Sequence, residues 1–323
     1  MTARALFAGW GIQAKLQPLG SGRINDTWLV PDESVVLQRI NQEVFHRPLQ
    51  LMESVVRVVR HLNAGQSGWV PDLVPARSGA MFHEQGDGVY RIWRFVQGVH
   101  ASAVRTVADE MVMRHAGWAF GRTQVLLRDL PPPRLPDAID NFLRLGCYLD
   151  EFDREDATTL GDLPKALDAG RTLAEEFREP NGYIHGDCKI DNLLFNSEGG
   201  VAAVLDLDTV MWGHWAWDFG DLVRSAAARE GRVSLPRFEA LTRGYLEGVG
   251  EVRDPGMLAA APRYVALMLA VRFLTDHLRG DVYFKVHAHG DNLARGKVQL
   301  KLLRSMTEQA DDLVRAAELA VRG

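Results

Sequence analysis

Cysteine is scarce in this chain, charge of one sign is not in excess, and no long apolar run goes uninterrupted. Two cysteines, Cys147 and Cys188, in 323 residues exclude a disulfide framework and point to a reducing compartment, so a cytoplasmic location is expected. The 37 basic and 42 acidic side chains leave a net charge of -5, which provides no diffuse positive field for nucleic acid or an anionic membrane. Neither is expected as a partner, and an anionic substrate must be met by a local cluster of cations and backbone amides. The segment Met1 to Phe7 has no sustained apolar core before Gly9 and Gly11 interrupt it. The most apolar later stretch, Tyr264 to Leu274, is broken by Arg272 and is too short to span a bilayer. No repeat or low-complexity tract is evident.

What is present is an ordinary globular composition, 46% hydrophobic and 24% charged, divided into two unlike parts. Up to about residue 97 the chain reads as strands separated by Gly, Asn, Pro and Asp. The strands are placed at Leu16–Gly20, Thr27–Val30, Val35–Ile40, Leu73–Val74, Met81–Phe82 and Val89–Val96. One helix interrupts them from Pro48, with Leu51, Met52, Val55, Val58, Val59 and Leu62 at helical spacing. From residue 98 the pattern is mainly helical. Helices are expected over Val107–Leu127, around Leu163–Phe177, around Tyr264–Leu278 and, as one element, over Leu302–Ala317. The expected fold class is α+β with two lobes, 1–97 small and β-rich and 98–323 larger and mainly α.

One segment of the second lobe breaks the helical pattern. From Tyr183 it reads Tyr-Ile-His185-Gly186-Asp187-Cys188-Lys189-Ile190-Asp191-Asn192-Leu-Leu-Phe195, and after Gly199-Gly200 continues Val-Ala-Ala-Val-Leu205-Asp206-Leu207-Asp208. Two apolar runs around a Gly-Gly turn form a hairpin with Asn192 at its entrance and Asp206 at its exit. An amide oxygen beside a carboxylate suits Mg²⁺, a hard cation that takes a few protein oxygens and completes its shell with phosphate and water. Asp187, just upstream, reaches the same cavity. Phosphoryl transfer from ATP needs this set: a carboxylate to orient and deprotonate an acceptor hydroxyl, metal ligands, and a cation such as Lys189 for the γ-phosphate. The string His-x-Asp-x-Lys-x-x-Asn, then a hairpin and Asp, resembles the protein-kinase catalytic loop and its metal-binding Asp. The expected architecture is therefore protein-kinase-like.

The first lobe is less specific. Gly20-Ser21-Gly22-Arg23-Ile24-Asn25-Asp26-Thr27 lies between two expected strands, where its amides could cover phosphates, although a plain hairpin turn uses the same residues. Gln38 stands where kinases place a phosphate-binding lysine, with Arg39 next to it. Neighbours in a strand face opposite sides, so only one of the two can serve. Glu53 on the following helix is the candidate ion-pair partner, or else a solvated carboxylate.

His185-Gly-Asp187 through Asn192 and Leu205-Asp206 resemble the aminoglycoside phosphotransferase and choline kinase superfamily. Gly22-Arg-Ile-Asn-Asp-Thr27, Leu37-Gln-Arg-Ile-Asn41, Val204-Leu-Asp-Leu-Asp-Thr-Val-Met211, Asp218-Phe-Gly-Asp-Leu-Val-Arg224, Arg272-Phe-Leu-Thr-Asp276 and Gly280-Asp-Val-Tyr-Phe284 look most like the N-acetylhexosamine 1-kinases within it. The resemblance implies an ATP- and Mg²⁺-dependent kinase acting on the anomeric hydroxyl of an N-acetylhexosamine, with Asp187 as base and Asn192 and Asp206 as metal ligands. It makes Arg272 and Tyr283 candidate sugar contacts and hangs adenine from the backbone of Trp93-Arg94-Phe95-Val96, through Arg94 and Val96. Where that family tends to have Pro and a Phe-His pair, this chain has Trp212 and Phe142-Leu143. Taken without the resemblance, Arg272 pairs with Asp276 or Asp281, Trp212, Trp215 and Trp217 pack, Asp218 braces the catalytic loop and Cys188 is a bystander. The cluster Asp150, Glu151, Asp153, Glu155 and Asp156 would suit a cationic aminoglycoside, or be a solvated helix face. The missing lysine leaves room for a nucleotide-binding module without catalysis.

Overall fold

The computed structural model describes residues 5–19, 24–168 and 170–322. A short hairpin, β1 (Ala5–Phe7) and β2 (Ile12–Ala14), precedes an antiparallel five-stranded sheet. That sheet contains β3 (Gln17–Pro18), β4 (Asp26–Val30), β5 (Val35–Arg39), β6 (His83–Gln85) and β7 (Gly88–Arg94), in the order β3-β4-β5-β7-β6. The helix α1 (Pro48–Gly65) begins at the expected proline and buries all six expected positions, Leu51 to Leu62, toward the sheet and the second lobe. Phe7, Val30, Val35, Leu37 and Ile92 form a separate small core in the first lobe.

Two of the expected strands are displaced. Leu73 makes only an isolated bridge to Trp93, because Pro71 and Pro75 flank it and remove donors a ladder would need. The strand placed at Met81–Phe82 begins at His83.

The chain crosses to the second lobe through Phe95–Gly98. Val99 and Phe195 exchange both backbone hydrogen bonds, at 2.9 and 2.8 Å, and fix the linker to the hairpin that contains Phe195. The long helix α2 (Asp109–Leu127) and the short α3 (Leu145–Phe152) then lead to an irregular stretch. The helix expected around Leu163–Phe177 is instead a 3₁₀ turn, Leu163–Leu167, and a short α4 (Gly170–Glu176). Pro164 lies in the first turn of the 3₁₀ element, where its missing amide hydrogen costs nothing.

The functional segment comprises β8 (Gly182–Ile184), β9 (Leu193–Phe195), β10 (Val201–Val204) and β11 (Met211–Gly213), with pairs β8–β11 and β9–β10. After it come α5 (Trp215–Ala226), the small hairpin β12 (Ala228–Arg229) and β13 (Arg232–Val233), and α6 (Leu235–Val249). The chain closes with α7 (Pro255–Leu278), α8 (Asp291–Glu308) and α9 (Ala310–Arg322). The single helix expected over Leu302–Ala317 is broken at Gln309, whose side chain turns inward to Ser305 and to the Val233 carbonyl. The helix expected around Tyr264–Leu278 extends back to Pro255, making α7 long and apolar enough to cross a membrane by length and composition. However, 78% of its most apolar window is buried inside the protein, and it serves as the core helix of the lobe.

Candidate active site

The hairpin sets the geometry. Val204 pairs with Leu193, and the Leu205 amide donates to the Asn192 carbonyl at 2.8 Å, so Asp206 leaves β10 beside the point where Asn192 enters β9. Asp206 has a left-handed backbone (φ 63°), an uncommon conformation for a residue with a side chain, and it turns the carboxylate out of the strand plane. Upstream, Gly186 is at φ 84°, and a Cβ there would lie 2.4 Å from the Thr209 carbonyl oxygen. Only glycine fits that close approach.

Asp218, buried on α5, accepts from the backbone amides of His185 and Gly186, both at 2.8 Å, and from Gln124 Nε2 at 3.1 Å. It braces the loop as expected. Ser225 Oγ accepts from the Ile190 amide at 3.0 Å, and the buried His185 ring meets the Leu205 carbonyl at 2.8 Å. The loop is thus held from behind at four points, and its front edge presents Asp187 and Lys189.

Four side chains converge there. Asn192 Nδ2 donates to the Asp187 carbonyl at 2.8 Å and to Asp187 Oδ2 at 2.9 Å. The Lys189 ammonium donates to Asp187 Oδ2 and lies 3.9 Å from Asp206 Oδ2, between the two carboxylates. Burial alone would push the Asp187 carboxyl up, but the charge and hydrogen bond of Lys189, with His185 and the Asn192 amide, outweigh it and hold Asp187 below the ordinary carboxylate range. Asp206 moves the other way, to about 7. Burial comes first among the causes, followed by the like charges of Asp187 and Asp208, with Lys189 and Arg91 opposing. Its side chain is 39% exposed to the cleft, and the crowding of three carboxylates fixes the direction. Cys188 is fully buried behind the loop, and burial raises its thiol well above the usual range, which leaves it inert.

The side chains expected beside the nucleotide are engaged elsewhere. Gly20 and Gly22 lie outside the described residues. Asn25 is buried: its Nδ2 donates to Asp208 at 2.8 Å and its Oδ1 accepts from the Asn41 amide at 3.0 Å. Gln38 Nε2 donates to Thr27 Oγ1 at 3.1 Å, while Gln38 Oε1 accepts from Arg91 at 3.0 Å and from Trp93 at 2.7 Å. Arg39 faces the other way and pairs at 3.1 Å with the exposed Asp87. Glu53 is exposed and makes no ion pair among the described residues. In the linker, the amides of Arg94 and Phe95 already donate to the carbonyls of Asp72 and Ser34, whereas that of Val96 has no partner among the described residues.

Sequence reasoning passed over Arg91. It lies directly across the ladder from Gln38, on the same face of the sheet and one strand from the place expected to hold a lysine. Its guanidinium makes a two-pronged pair with Asp208, at 2.5 and 2.8 Å, with both side chains no more than 2% exposed. A basic residue between Tyr90 and Ile92 in an apolar strand was the available signal.

Arg272 pairs with neither Asp276 nor Asp281. Its guanidinium lies over four rings, Phe142, Tyr148, Tyr283 and Phe284, at 5.1 to 5.5 Å from their centroids. Asp276 instead accepts from the amides of Val282, Tyr283 and Phe284 and from Asn292, and so shapes the loop that carries Tyr283. The tryptophans pack: Trp217 stacks on Tyr264, Trp215 on Tyr245, and Trp212 lies edge-on to Tyr183 beneath Arg134. Four members of the acidic cluster are ion-paired, Asp150 and Asp153 with Arg171, Glu151 and Glu155 with Arg279, while Asp156 accepts from the Thr158 amide, so the cluster stays net negative.

Residues 15–258 match the model of the phosphotransferase enzyme family (APH). The chain belongs to that family. Solved structures similar to this member of the APH family show the same fold. A choline/ethanolamine kinase family protein from Mesorhizobium loti is 16% identical, with a TM-score of 0.61 over 95% of this chain and 93% of that one. A microcompartment-associated aminopropanol kinase is 17% identical, with a TM-score of 0.65 over 93% of each chain. An amicoumacin kinase, solved with AMP-PNP, Ca²⁺ and Ami, is 15% identical, with a TM-score of 0.61 over 92% of this chain and 88% of that one. The small antiparallel sheet, the helical second lobe and the loop-hairpin unit between them are the protein-kinase-like plan read from the sequence. As an APH-family member, the protein is a small-molecule phosphotransferase.

Proposed function

We propose that this phosphotransferase moves the γ-phosphate of ATP to an alcohol, and that its acceptor is the anomeric hydroxyl of an N-acetylhexosamine or a related hexose. The observation that carries the reading is the meeting of Asp187, Lys189, Asn192 and Asp206 at one end of the cleft. Asp187, ionised and held at its position by Asn192, receives the acceptor proton. Lys189 supplies positive charge where the transferred phosphoryl group carries its own. The donor set fits Mg²⁺: with Nδ2 of Asn192 turned to Asp187, Oδ1 and the Asp206 carboxylate are the oxygens left to a hard cation. Bound there, the ion neutralises phosphate charge. Adenine is read by the Val96 and Arg94 backbone, and Gly20 and Gly22 lie in the segment that would cover the phosphates.

Support for a sugar comes from the acceptor side. Aromatic faces suit the C–H faces of a pyranose, while Arg272 and the Tyr283 hydroxyl offer polar contacts to its oxygens. Two arginines engage four of the five acidic groups that would attract a polycationic aminoglycoside, which lowers that attraction without cancelling it. Measuring ADP release across sugars, amino alcohols and aminoglycosides, with ³¹P detection of the product, decides the matter. Turnover confined to non-sugars removes the hexose reading. Tight ATP binding without turnover on any acceptor leaves a binding module.

Two further outcomes are expected. Arg272→Met should raise the acceptor KM by about tenfold or more and leave the ATP KM unchanged, because the role proposed for the lost group is confined to the acceptor. A change in the ATP KM instead would place Arg272 outside the acceptor site. Separately, a proton on Asp206 competes with the cation. Above pH 7 the carboxylate is free, and below it the Mg²⁺ needed for half-maximal activity should rise by about tenfold per pH unit. Mg²⁺ titrations at pH 6 and pH 8 measure this, and a flat requirement would place the ion elsewhere.

A further inference from the structure

Beyond the cleft, the loop between α7 and α8 holds a second cluster of ligating groups. Asp281 has a left-handed backbone, φ 61°, with its side chain only 3% exposed. Its Oδ2 lies 3.0 Å from His289 Nδ1 and 3.8 Å from His277 Nδ1. The Gly290 amide donates to Oδ2 at 3.1 Å and Asn292 Nδ2 to Oδ1 at 2.9 Å, which aims the carboxylate between the two imidazoles. His277 Nδ1 is buried and has no hydrogen-bond partner among the described residues, an arrangement that costs free energy unless something accepts its lone pair.

We infer that His277, Asp281 and His289 bind one divalent transition-metal ion of the zinc class. A tetrahedral zinc ion with bonds of about 2.0 to 2.1 Å holds its donors about 3.3 Å apart. The 3.0 and 3.8 Å separations bracket that value, and all three donor atoms lie within 4.8 Å of one another. Two imidazoles and a carboxylate select zinc, nickel or iron over magnesium, so the ion does not compete for the oxygen ligands in the cleft. Gly290 and Asn292 orient the carboxylate as outer partners of metal ligands do. Three protein donors leave one position to water, and the exposed His289 gives the ion its entry. Because His277 lies in the last turn of α7 and His289 precedes α8, the ion ties both ends of the loop that carries Tyr283 and Phe284. The site does not depend on which alcohol the enzyme phosphorylates.

The test titrates the full chain, free of Mg²⁺ and nucleotide, with ZnCl₂ by calorimetry, and repeats it with Co²⁺ to read the visible spectrum of a four-coordinate ion. One equivalent should bind, and His277→Ala and His289→Ala should each weaken it by about tenfold or more. His289 is 79% exposed at its side chain, so His289→Ala keeps its fold and the comparison remains clean. Asp206→Ala should bind the ion as the natural chain does. The inference is overturned by the absence of stoichiometric binding, by unchanged affinity in His289→Ala, or by loss of the ion in Asp206→Ala.

Discussion

Asp187→Asn should lower kcat by about two to four orders of magnitude while leaving ATP affinity nearly unchanged. The substitution is close to isosteric, and an Asn oxygen still accepts the hydrogen bond that Asn192 Nδ2 makes at 2.9 Å. What disappears is the negative charge, and with it both the proton acceptor and the partner of Lys189. Losing a positioned general base costs about 10²- to 10⁴-fold in rate. The oxygens proposed for the cation, on Asn192 and Asp206, are untouched, so the loss should fall on kcat and not on the ATP KM. Steady-state rates together with nucleotide binding separate the two. Undiminished turnover would assign the base to another carboxylate.

The meeting of the candidate site's side chains was legible because it is local. Asp187, Asn192 and Asp206 lie within a stretch of 20 residues, and the Gly199-Gly200 turn between two apolar runs fixes which of them meet. The helix α1 was equally plain, since a proline start and one apolar stripe leave few alternatives. Failures came where a distant partner decides the local form. Gln309 breaks the last helix because its side chain bonds to the carbonyl of Val233, 76 positions away. Arg272 avoids the two nearby carboxylates because Asp276 is engaged by the loop that follows it and Asp281 by His289, Gly290 and Asn292. Asn25 and Gln38, with polar side chains near a glycine-rich segment, look as though they await a phosphate. They turn inward because a buried arginine and a buried aspartate must be satisfied. Nothing local announces that pair, whose members stand 117 residues apart.

The Arg91–Asp208 pair gives the largest expected stability effect. It joins the sheet of the first lobe to the segment just after the proposed metal ligand, and Asn25 and Gln38 orient its two members. Arg91→Met removes one charge and strands the other away from water, an arrangement that costs about 3–5 kcal/mol. Asn25 compensates only part of it, through a single amide donor. The double variant Arg91→Met/Asp208→Asn removes the stranded charge as well and should recover most of the loss, a coupling that denaturant unfolding of the four proteins measures. If the single and double variants are equally unstable, the cost is one of packing and not of charge. Catalysis gives an independent reading. Arg91 opposes the upward shift of Asp206, so its removal raises that carboxyl further and the Mg²⁺ requirement near neutral pH should increase. Asp208→Asn relieves one of the like charges on Asp206 and should move the requirement back. A variant that loses stability with no change in its Mg²⁺ requirement would confine the pair to holding the lobes together.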